Sequence, residues 1–109
     1  MLAYQQQVAP VQILVFTIPG CPACEEYKPV IQRARRALEQ AGQCVAPVQI
    51  IDCYAAQHKA LADHHKIQYT PTTIVLFNGQ VWRRWDQPLS EGNFMYMMQR
   101  VSRGLHCEV

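Results

Sequence analysis

The sequence predicts an α/β fold with a central four-stranded mixed sheet and helices on both faces, in the order β α β α β β α. Three observations predict it: a β-branched and aromatic run at residues 11–17, stretches with the 3.6-residue period of amphipathic helices, and an Asn-Gly pair between two further strand-like runs. The chain has 109 residues, and 50% of them are hydrophobic. This is enough for one domain with its own core and too little for two, so we expect a single domain over residues 1–109 with a core at about 11–103.

The first strand and the first helix have the clearest patterns. Residues 11–17, VQILVFT, are apolar enough for burial on both faces, which places this strand centrally in the sheet. From Pro22 the apolar residues follow a helical period, with charged residues opposite. Pro22 suits a first turn, Gly42 suits the position after a helix, and Pro29 lacks a backbone donor and therefore predicts a kink. The predicted buried stripe is Val30, Ala34, Ala37, Leu38 and Ala41.

The rest of the chain divides into runs of strand and helix pattern. In chain order these are a strand at 45–52, a helix at 54–65, strands at 72–77 and 81–85, and a helix after Ser90. The helix at 54–65 has few apolar positions, namely Ala56, Ala60 and Leu61. Asn78-Gly79 predicts a hairpin and hence an antiparallel pair, and Ser90 is a favourable N-cap. The predicted buried stripe of the last helix is Phe94, Met97, Met98, Val101 and Leu105.

This order of elements also predicts where the chemistry lies. A strand, a crossover helix and a second strand form a right-handed parallel pair, to which the hairpin adds antiparallel strands. In open sheets of this kind, sites lie at the carboxyl ends of the parallel strands. Here those ends are residues 17–24 and 52–54, so we expect the functional residues there.

Composition and charge exclude several classes of function. The formal charge of +2, from ten Lys and Arg against eight Asp and Glu, is too small for a nucleic-acid footprint. No apolar run approaches the ~20 residues needed to cross a bilayer, and the first ten residues lack the basic and apolar regions of a secretory signal. Five cysteines at irregular spacings do not resemble a secreted disulfide framework. We therefore expect a cytoplasmic monomer without nucleic-acid or membrane partners.

The motif that carries chemistry is Cys21-Pro22-Ala23-Cys24, which opens the first helix directly after the first strand. A thiol at a helix N-terminus lies near unpaired backbone N–H groups and the positive end of the dipole, which favour the thiolate and bring its pKa to roughly 3.5 to 7.5. Cys24 lies one turn further in, close enough to close a disulfide ring but shielded from a bulky partner. Cys21 is thus the expected nucleophile toward a substrate disulfide, and Cys24 the resolving thiol that releases the reduced substrate.

A CxxC pair has other uses, which the sequence leaves open. One is half of a zinc site, although the histidines that follow have no knuckle pattern and Cys44 and Cys53 lie nine residues apart. Another is an iron-sulfur cluster shared between two subunits. A third is a docking domain whose cysteines are redox-silent. A binding module is therefore the competing class, and for the enzymatic interpretation we expect neither a metal site nor a cofactor.

Three motifs carry a family resemblance over residues 11–103. They are CPAC after a buried strand, Pro29 eight residues past Cys21, and Thr70-Pro71 within TPT at the start of a strand that runs into Phe-Asn-Gly. In these the chain resembles the thioredoxin and glutaredoxin superfamily. The resemblance implies a thioredoxin-like fold with a cis Pro71 beside the CxxC, and substrate binding by Thr70, Pro71, Pro22 and Ala23. It also implies a thiol-disulfide oxidoreductase that reduces disulfides in protein substrates and is recharged by an external reductase.

Within the superfamily the chain resembles thioredoxin more than glutaredoxin after residue 67. It lacks the Gly-Gly and acidic pair with which glutaredoxins hold glutathione, so a donor of the thioredoxin-reductase type is expected rather than glutathione. Val15 stands where thioredoxins have a buried Asp that relays a proton to the second cysteine, and Glu25 stands where they usually have Lys. A glutamate near Cys21 disfavours its thiolate, which predicts a couple on the reducing side.

The other three cysteines receive separate interpretations. Cys53 follows the second strand at the same sheet end as the CPAC motif, so it is a candidate for an auxiliary residue of the site. The simpler interpretation is that it is a small apolar residue at a strand end. Cys44 begins that strand and lies about 25 to 30 Å away, too far to bridge Cys53. Cys44 and Cys107 share the far end of the sheet, where we expect both to be idle thiols.

The aromatic residues outside the strand cores and the paired arginines have a simple interpretation. Trp82, Trp85 and Tyr54 are predicted to pack on the sheet. The pairs Arg35-Arg36 and Arg83-Arg84 are predicted to form solvated faces. The sequence therefore assigns no function to these residues.

Overall fold

The computed structural model describes residues 10–103. These residues contain four strands and three α-helices, joined by turns and loops. The strands are β1 (Val11–Thr17), β2 (Val48–Asp52), β3 (Thr72–Phe77) and β4 (Gln80–Trp85). The helices are α1 (Pro22–Gln40), α2 (Lys59–His64) and α3 (Glu91–Ser102), with a 3-10 turn at Ala56–His58 before α2. The predicted order β α β α β β α is confirmed. No helix of these residues is both long and apolar enough to span a bilayer.

The four strands form one mixed sheet in the order β2-β1-β3-β4. β1 runs parallel to β2, with Phe16 opposite Ile51, and antiparallel to β3, with Phe16 opposite Thr72. β3 and β4 form the antiparallel hairpin. The prediction that the first strand lies centrally is therefore correct, because β1 has a hydrogen-bonded neighbour on each side.

The two faces of the sheet are buried under different helices, as predicted. Successive strand residues point to opposite faces, so Ile13 and Val15 face one way, and Leu14 and Phe16 the other. The first face packs with the buried residues of α1 and α3. The second packs with Ala62 of α2 and with apolar residues of β2 and β3. A strand covered on both sides needs the unbroken apolar run that β1 has.

The buried face of α1 differs from the predicted stripe. It consists of Cys24, Tyr27, Ile31, Ala34 and Leu38. Of the predicted positions, Ala37 and Ala41 are exposed and Val30 is only half-buried. The reason is that Cys24, which is fully buried, belongs to the inward face, so the stripe follows from that residue at helical spacing. The helix continues through Pro29, which lies on the exposed side.

Two other elements are shorter than predicted. β2 begins at Val48 rather than at residue 45, because Ala46 N–H donates to the hydroxyl of Ser102 (2.8 Å) and Pro47 has no N–H to give to a ladder. The helix predicted at 54–65 is a 3-10 turn followed by six residues of α2, of which only Ala62 is buried. The few apolar positions of this segment explain its short helix. Leu105, predicted to extend the buried stripe of α3, lies outside the described residues.

His65, directly after α2, is the buried titratable side chain of this face. It is 9% exposed, and its ring lies 5.7 Å from that of Phe16 and 4.8 Å from that of His64. Arg84 donates a hydrogen bond to the His65 carbonyl oxygen. Burial lowers the pKa of His65, and the neighbouring His64 and Arg84 lower it further. The folded protein therefore binds a proton at His65 less readily than the unfolded chain does.

The stability of the fold should consequently decrease on acidification through the titration of this histidine. An unfolded histidine has a pKa of about 6.5, so below that pH the proton binds preferentially to the unfolded chain. We expect His65→Gln to lose less unfolding free energy than the parent between pH 7.5 and pH 5.5, as measured by urea unfolding. His64→Gln removes one of the smaller causes of the lowered His65 pKa, so its loss should lie between those of the parent and His65→Gln. An equal loss in His65→Gln and parent would contradict the assignment.

Candidate active site

The CPAC motif lies at the start of α1, as the sequence predicts. Cys21 is the N-cap of the helix, and its sulfur accepts a hydrogen bond from the backbone N–H of Cys24 (3.1 Å). Cys21 and Cys24 are joined by a disulfide, with their Cα atoms 5.2 Å apart. The sulfur of Cys21 therefore occupies the position where an N-terminal N–H group stabilises negative charge.

The two cysteines differ in accessibility. The Cys21 side chain is 8% exposed, and Cys24 is 0% exposed because it faces the core from the first turn of α1. An external sulfur can approach Cys21, whereas Cys24 can be reached only from within the protein. This arrangement suits Cys21 as the attacked and attacking sulfur and Cys24 as its internal partner.

The turn between β1 and α1 requires a glycine immediately before Cys21. Gly20 has a φ of +74°, in the left-handed region that side-chain-bearing residues rarely adopt. β1 ends at Thr17, whose carbonyl oxygen accepts from the N–H of Cys53 (2.8 Å). The ends of β1 and β2 therefore lie together, and Gly20 turns the chain from that edge into the helix.

Thr70 lies directly beside Cys21. Its carbonyl oxygen is 3.7 Å and its hydroxyl oxygen 3.5 Å from the Cys21 sulfur. The Thr70–Pro71 peptide bond is cis, Pro71 is buried, and Thr70 is half-buried. Of the other predicted substrate-binding residues, Pro22 is exposed and Ala23 is half-buried in the first turn of α1. The structure thus brings a chain segment 49 residues away in sequence against the cysteine pair.

A groove of about 460 Å³ lies beside Thr70, and neither Cys21 nor Cys24 lines it. Apolar side chains line much of it, and these are Ile18, Ala62 and Ile67. Tyr54 also lines it and is 72% exposed, so the prediction that Tyr54 packs on the sheet is wrong. Tyr54 follows the end of β2, where the chain leaves the sheet and no element covers the ring. Sequence reasoning missed Ile18 and Ile67, although their positions next to strand ends and to Thr70 were a usable signal.

Cys53 lines the same groove and carries a free thiol. It is half-buried, and its position at the carboxyl end of β2 is the one predicted. Burial raises the pKa of this thiol, and the charge of Asp52 raises it further. Cys53 is therefore protonated near neutral pH and is a poorer nucleophile than a thiolate at a helix N-terminus.

None of the described Asp, Glu, Lys or Arg residues is fully buried, so no buried charge of these types lies beside the cysteine pair. Glu25, which follows Cys24, forms an exposed ion pair with Lys28 (3.0 Å). Val15 is 1% exposed and lies opposite Thr73 in the sheet. The Thr73 hydroxyl hydrogen-bonds to that of Tyr27 (2.8 Å), whose pKa is raised chiefly by burial, so this interior pair is uncharged. A buried carboxylate does not occupy this part of the described core.

The bonding state of Cys44 differs from the prediction. It is disulfide-bonded, so the expectation of an idle thiol at Cys44 is wrong. A cysteine pairing depends on the approach of distant segments, which spacing alone does not show. Cys107, the other predicted idle thiol, lies outside the described residues. Within residues 10–103, no three His, Cys, Asp or Glu side chains lie close enough together to hold a metal ion.

Comparisons with known proteins agree with this fold. The family model described as thioredoxin matches residues 2–100. Comparison with curated protein sequences finds no match. Among solved structures, a mutant thioredoxin from Halobacterium salinarum NRC-1 superposes with a TM-score of 0.70 at 20% identity, covering 96% of this chain and 86% of that one. Thioredoxin-2 of the malaria parasite gives 0.69 at 19% identity, covering 83% and 82%. Fasciola hepatica thioredoxin gives 0.68 at 13% identity, covering 91% and 88%.

The difference in accessibility predicts different reactivities for the two thiols once the disulfide is reduced. Iodoacetamide at pH 7 should modify Cys21 at least about tenfold faster than Cys24, because only Cys21 is reached from solvent and lies at the helix terminus. Quenched samples analysed by peptide mass spectrometry give both rates, and Cys53 serves as an internal reference for a thiol with a raised pKa. Equal rates at Cys21 and Cys24 would reverse or remove the assigned roles.

Proposed function

The chain belongs to the thioredoxin family, and on that premise we propose that it is a thiol-disulfide oxidoreductase that reduces disulfides in protein substrates. One observation carries the proposal. Cys21, at the N-terminus of α1, is disulfide-bonded to the buried Cys24, and the half-buried Thr70 lies against its sulfur. A reactive sulfur, a shielded partner and an accessible backbone segment are the three parts that disulfide exchange with a polypeptide requires.

The reaction proceeds in two exchange steps. In the reduced protein, the Cys21 thiolate attacks one sulfur of the substrate disulfide, forming a mixed disulfide and releasing the other substrate sulfur as a thiolate that takes a proton. Cys24 then loses its proton to water and attacks the Cys21 sulfur. The Cys21–Cys24 disulfide forms, the mixed disulfide breaks, and the second substrate sulfur leaves as a thiolate that takes a proton from water. Two electrons pass from the cysteine pair to the substrate.

Thr70 positions the substrate chain in this mechanism. An extended peptide that pairs with the backbone of Thr70 lies within a few ångströms of the Cys21 sulfur, since the Thr70 carbonyl oxygen is 3.7 Å from it. Pro22 and Ala23 border the same sulfur from the first turn of α1. The groove beyond Thr70, with its apolar lining, receives a side chain of the same substrate segment.

Regeneration requires a second reductant. The Cys21–Cys24 disulfide regains its two electrons from an external donor, for which we propose a thioredoxin-reductase type of enzyme rather than glutathione. The hairpin turn Asn78-Gly79 is followed by the segment QVWRRWD (residues 80–86) and not by the Gly-Gly and acidic pair with which glutaredoxins hold glutathione. The proposal includes a monomeric, cytoplasmic protein without a cofactor.

Replacement of single cysteines tests the proposed mechanism. Cys21→Ser should abolish the reduction of insulin disulfides with dithiothreitol as donor, because no other sulfur lies at the helix N-terminus. Cys24→Ser should lose turnover by at least about a hundredfold while accumulating a mixed disulfide on Cys21, detectable on non-reducing gels. Cys53→Ser should retain most of the parental turnover, because the Cys53 thiol takes part in neither exchange step and serine nearly preserves its size in the groove.

Two results would contradict the mechanism. Activity that persists in Cys21→Ser would exclude Cys21 as the nucleophile. Loss of activity in Cys53→Ser equal to that in Cys21→Ser, in a protein with an unchanged circular dichroism spectrum, would place the reactive thiol in the groove instead.

A further inference from the structure

A second groove, of about 270 Å³, lies between β4 and α3 and shares no lining residue with the first. Its aromatic walls are Trp82, Trp85 and Tyr96, and its cationic residues are Arg83 and Arg100. Trp82 is 41% exposed and Tyr96 is also exposed. Trp82 therefore presents much of its ring to solvent, contrary to the prediction that it packs on the sheet. Its ring meets that of Phe77 edge-on at 5.6 Å, which fixes its orientation while leaving part of its surface open.

Both arginines of this groove lie over aromatic rings. The guanidinium carbon of Arg83 is 5.5 Å from the ring centre of Trp82 and 5.9 Å from that of Trp85. That of Arg100 is 5.9 Å from the Tyr96 ring, and Arg100 donates a hydrogen bond to the Tyr96 hydroxyl (3.4 Å). A guanidinium over a ring is held in place, and its remaining N–H groups point outward in its own plane. Such groups match a carboxylate that approaches from solvent.

The nearby carboxylates already pair with other arginines. Glu91 pairs with Arg33 (2.7 Å), and Asp86 pairs with Arg84 (2.8 Å). Within residues 10–103, no acidic side chain lies within ion-pair distance of Arg83 or Arg100. The groove thus combines aromatic surface with two cations that the described chain leaves unneutralised.

The pKa of Tyr96 reflects the positive charge of the nearby arginines. The pKa of Tyr96 is lowered by the hydrogen bond from Arg100, by the Arg100 charge and, to a lesser extent, by Arg103. A lowered tyrosine pKa means that this surface favours negative charge. Arg83 and Arg100 are themselves exposed, so the cations of the groove face solvent.

We propose that this groove binds an acidic segment of a partner protein, with carboxylates on Arg83 and Arg100 and an aromatic or aliphatic side chain against Trp82 and Tyr96. Charge complementarity identifies the segment as acidic. The volume, near the lower limit of small-molecule pockets at ~300 Å³, suits one side chain of a polypeptide better than a free cofactor. β4 has a strand neighbour on one side only among the described residues, so no described strand hinders an extended chain from reaching the groove. This interaction involves no sulfur chemistry and is independent of the proposed oxidoreductase activity.

Fluorescence titration tests the proposal directly, because Trp82 and Trp85 are the 2 tryptophans of the chain and both line the groove. The probes are a cysteine-free, terminally blocked decapeptide with four glutamates and one phenylalanine, and its counterpart with glutamines in place of glutamates. The acidic probe should change tryptophan fluorescence saturably and bind at least about tenfold more tightly at low salt. Sodium chloride at about 0.5 M should remove most of this difference.

Variants of the protein separate the groove from general charge effects. Arg83→Gln and Arg100→Gln should each weaken binding of the acidic probe about three- to fivefold, the range of one partly exposed ion pair. Arg36→Gln, which removes an exposed charge of α1, is the matched control and should bind as the parent does. A Cys21→Ser and Cys24→Ser double variant should also bind normally, even if the oxidoreductase proposal fails.

Each alternative result would overturn the proposal. Equal affinity for the acidic and neutral probes would remove the role of the arginines, and a lack of saturable binding would remove the site. Equal weakening by Arg36→Gln and Arg83→Gln would indicate nonspecific attraction. A concentration-dependent fluorescence change without a probe, lost in Arg83→Gln, would show that a second copy of this chain occupies the groove.

Discussion

The interaction on which the rest of the structure depends is the contact between the Cys21 sulfur and the backbone N–H of Cys24 at the start of α1. It places a sulfur where the unpaired amides of a helix concentrate positive potential. This placement requires that α1 begin at the carboxyl edge of the sheet, immediately after β1. The central position of β1, the left-handed Gly20 and the inward face of α1 all serve that geometry.

The same edge gathers the other elements of the site. The parallel pairing of β1 and β2 brings Cys53 and the apolar groove to the end where the cysteine pair lies. Because β3 runs antiparallel to β1, it begins at that edge, and Thr70 precedes it there. The Cys21 sulfur is therefore flanked by a helix terminus on one side and by the half-buried Thr70 on the other. The neutral interior behind it, with the uncharged hydroxyl pair of Tyr27 and Thr73, leaves the helix terminus as the main local source of thiolate stabilisation.

Local sequence patterns predicted those features that depend on local physics. β1 and β3 have the predicted bounds. The apolar run of β1 and the β-branched run of β3, which begins after Pro71, are both typical of strands. Cys21 at a helix start followed from CPAC after a strand, and the proximity of Thr70 followed from the family resemblance. The predicted inward face of α1 was wrong because it included Ala37 and Ala41, which are apolar but lie on the exposed side. The buried position of Cys24 determines which face of the helix points inward. The bonded state of Cys44 and the exposure of Tyr54 and Trp82 depend on which segments meet in three dimensions, and a single sequence carries no period or spacing that shows this.

The most direct test of the central claim is a measurement of the pKa of the Cys21 thiol. In Cys24→Ser, with Cys53→Ser added to remove the second described thiol, the thiolate absorbance near 240 nm can be followed from pH 4 to pH 10. The account predicts an additional low-pH transition, absent when Cys21 is also replaced by serine, with a midpoint at or below about 7.5. A Cys21-dependent midpoint at or above about 8.5, the value of an unperturbed cysteine, would show that the helix terminus does not activate this sulfur and would contradict the account.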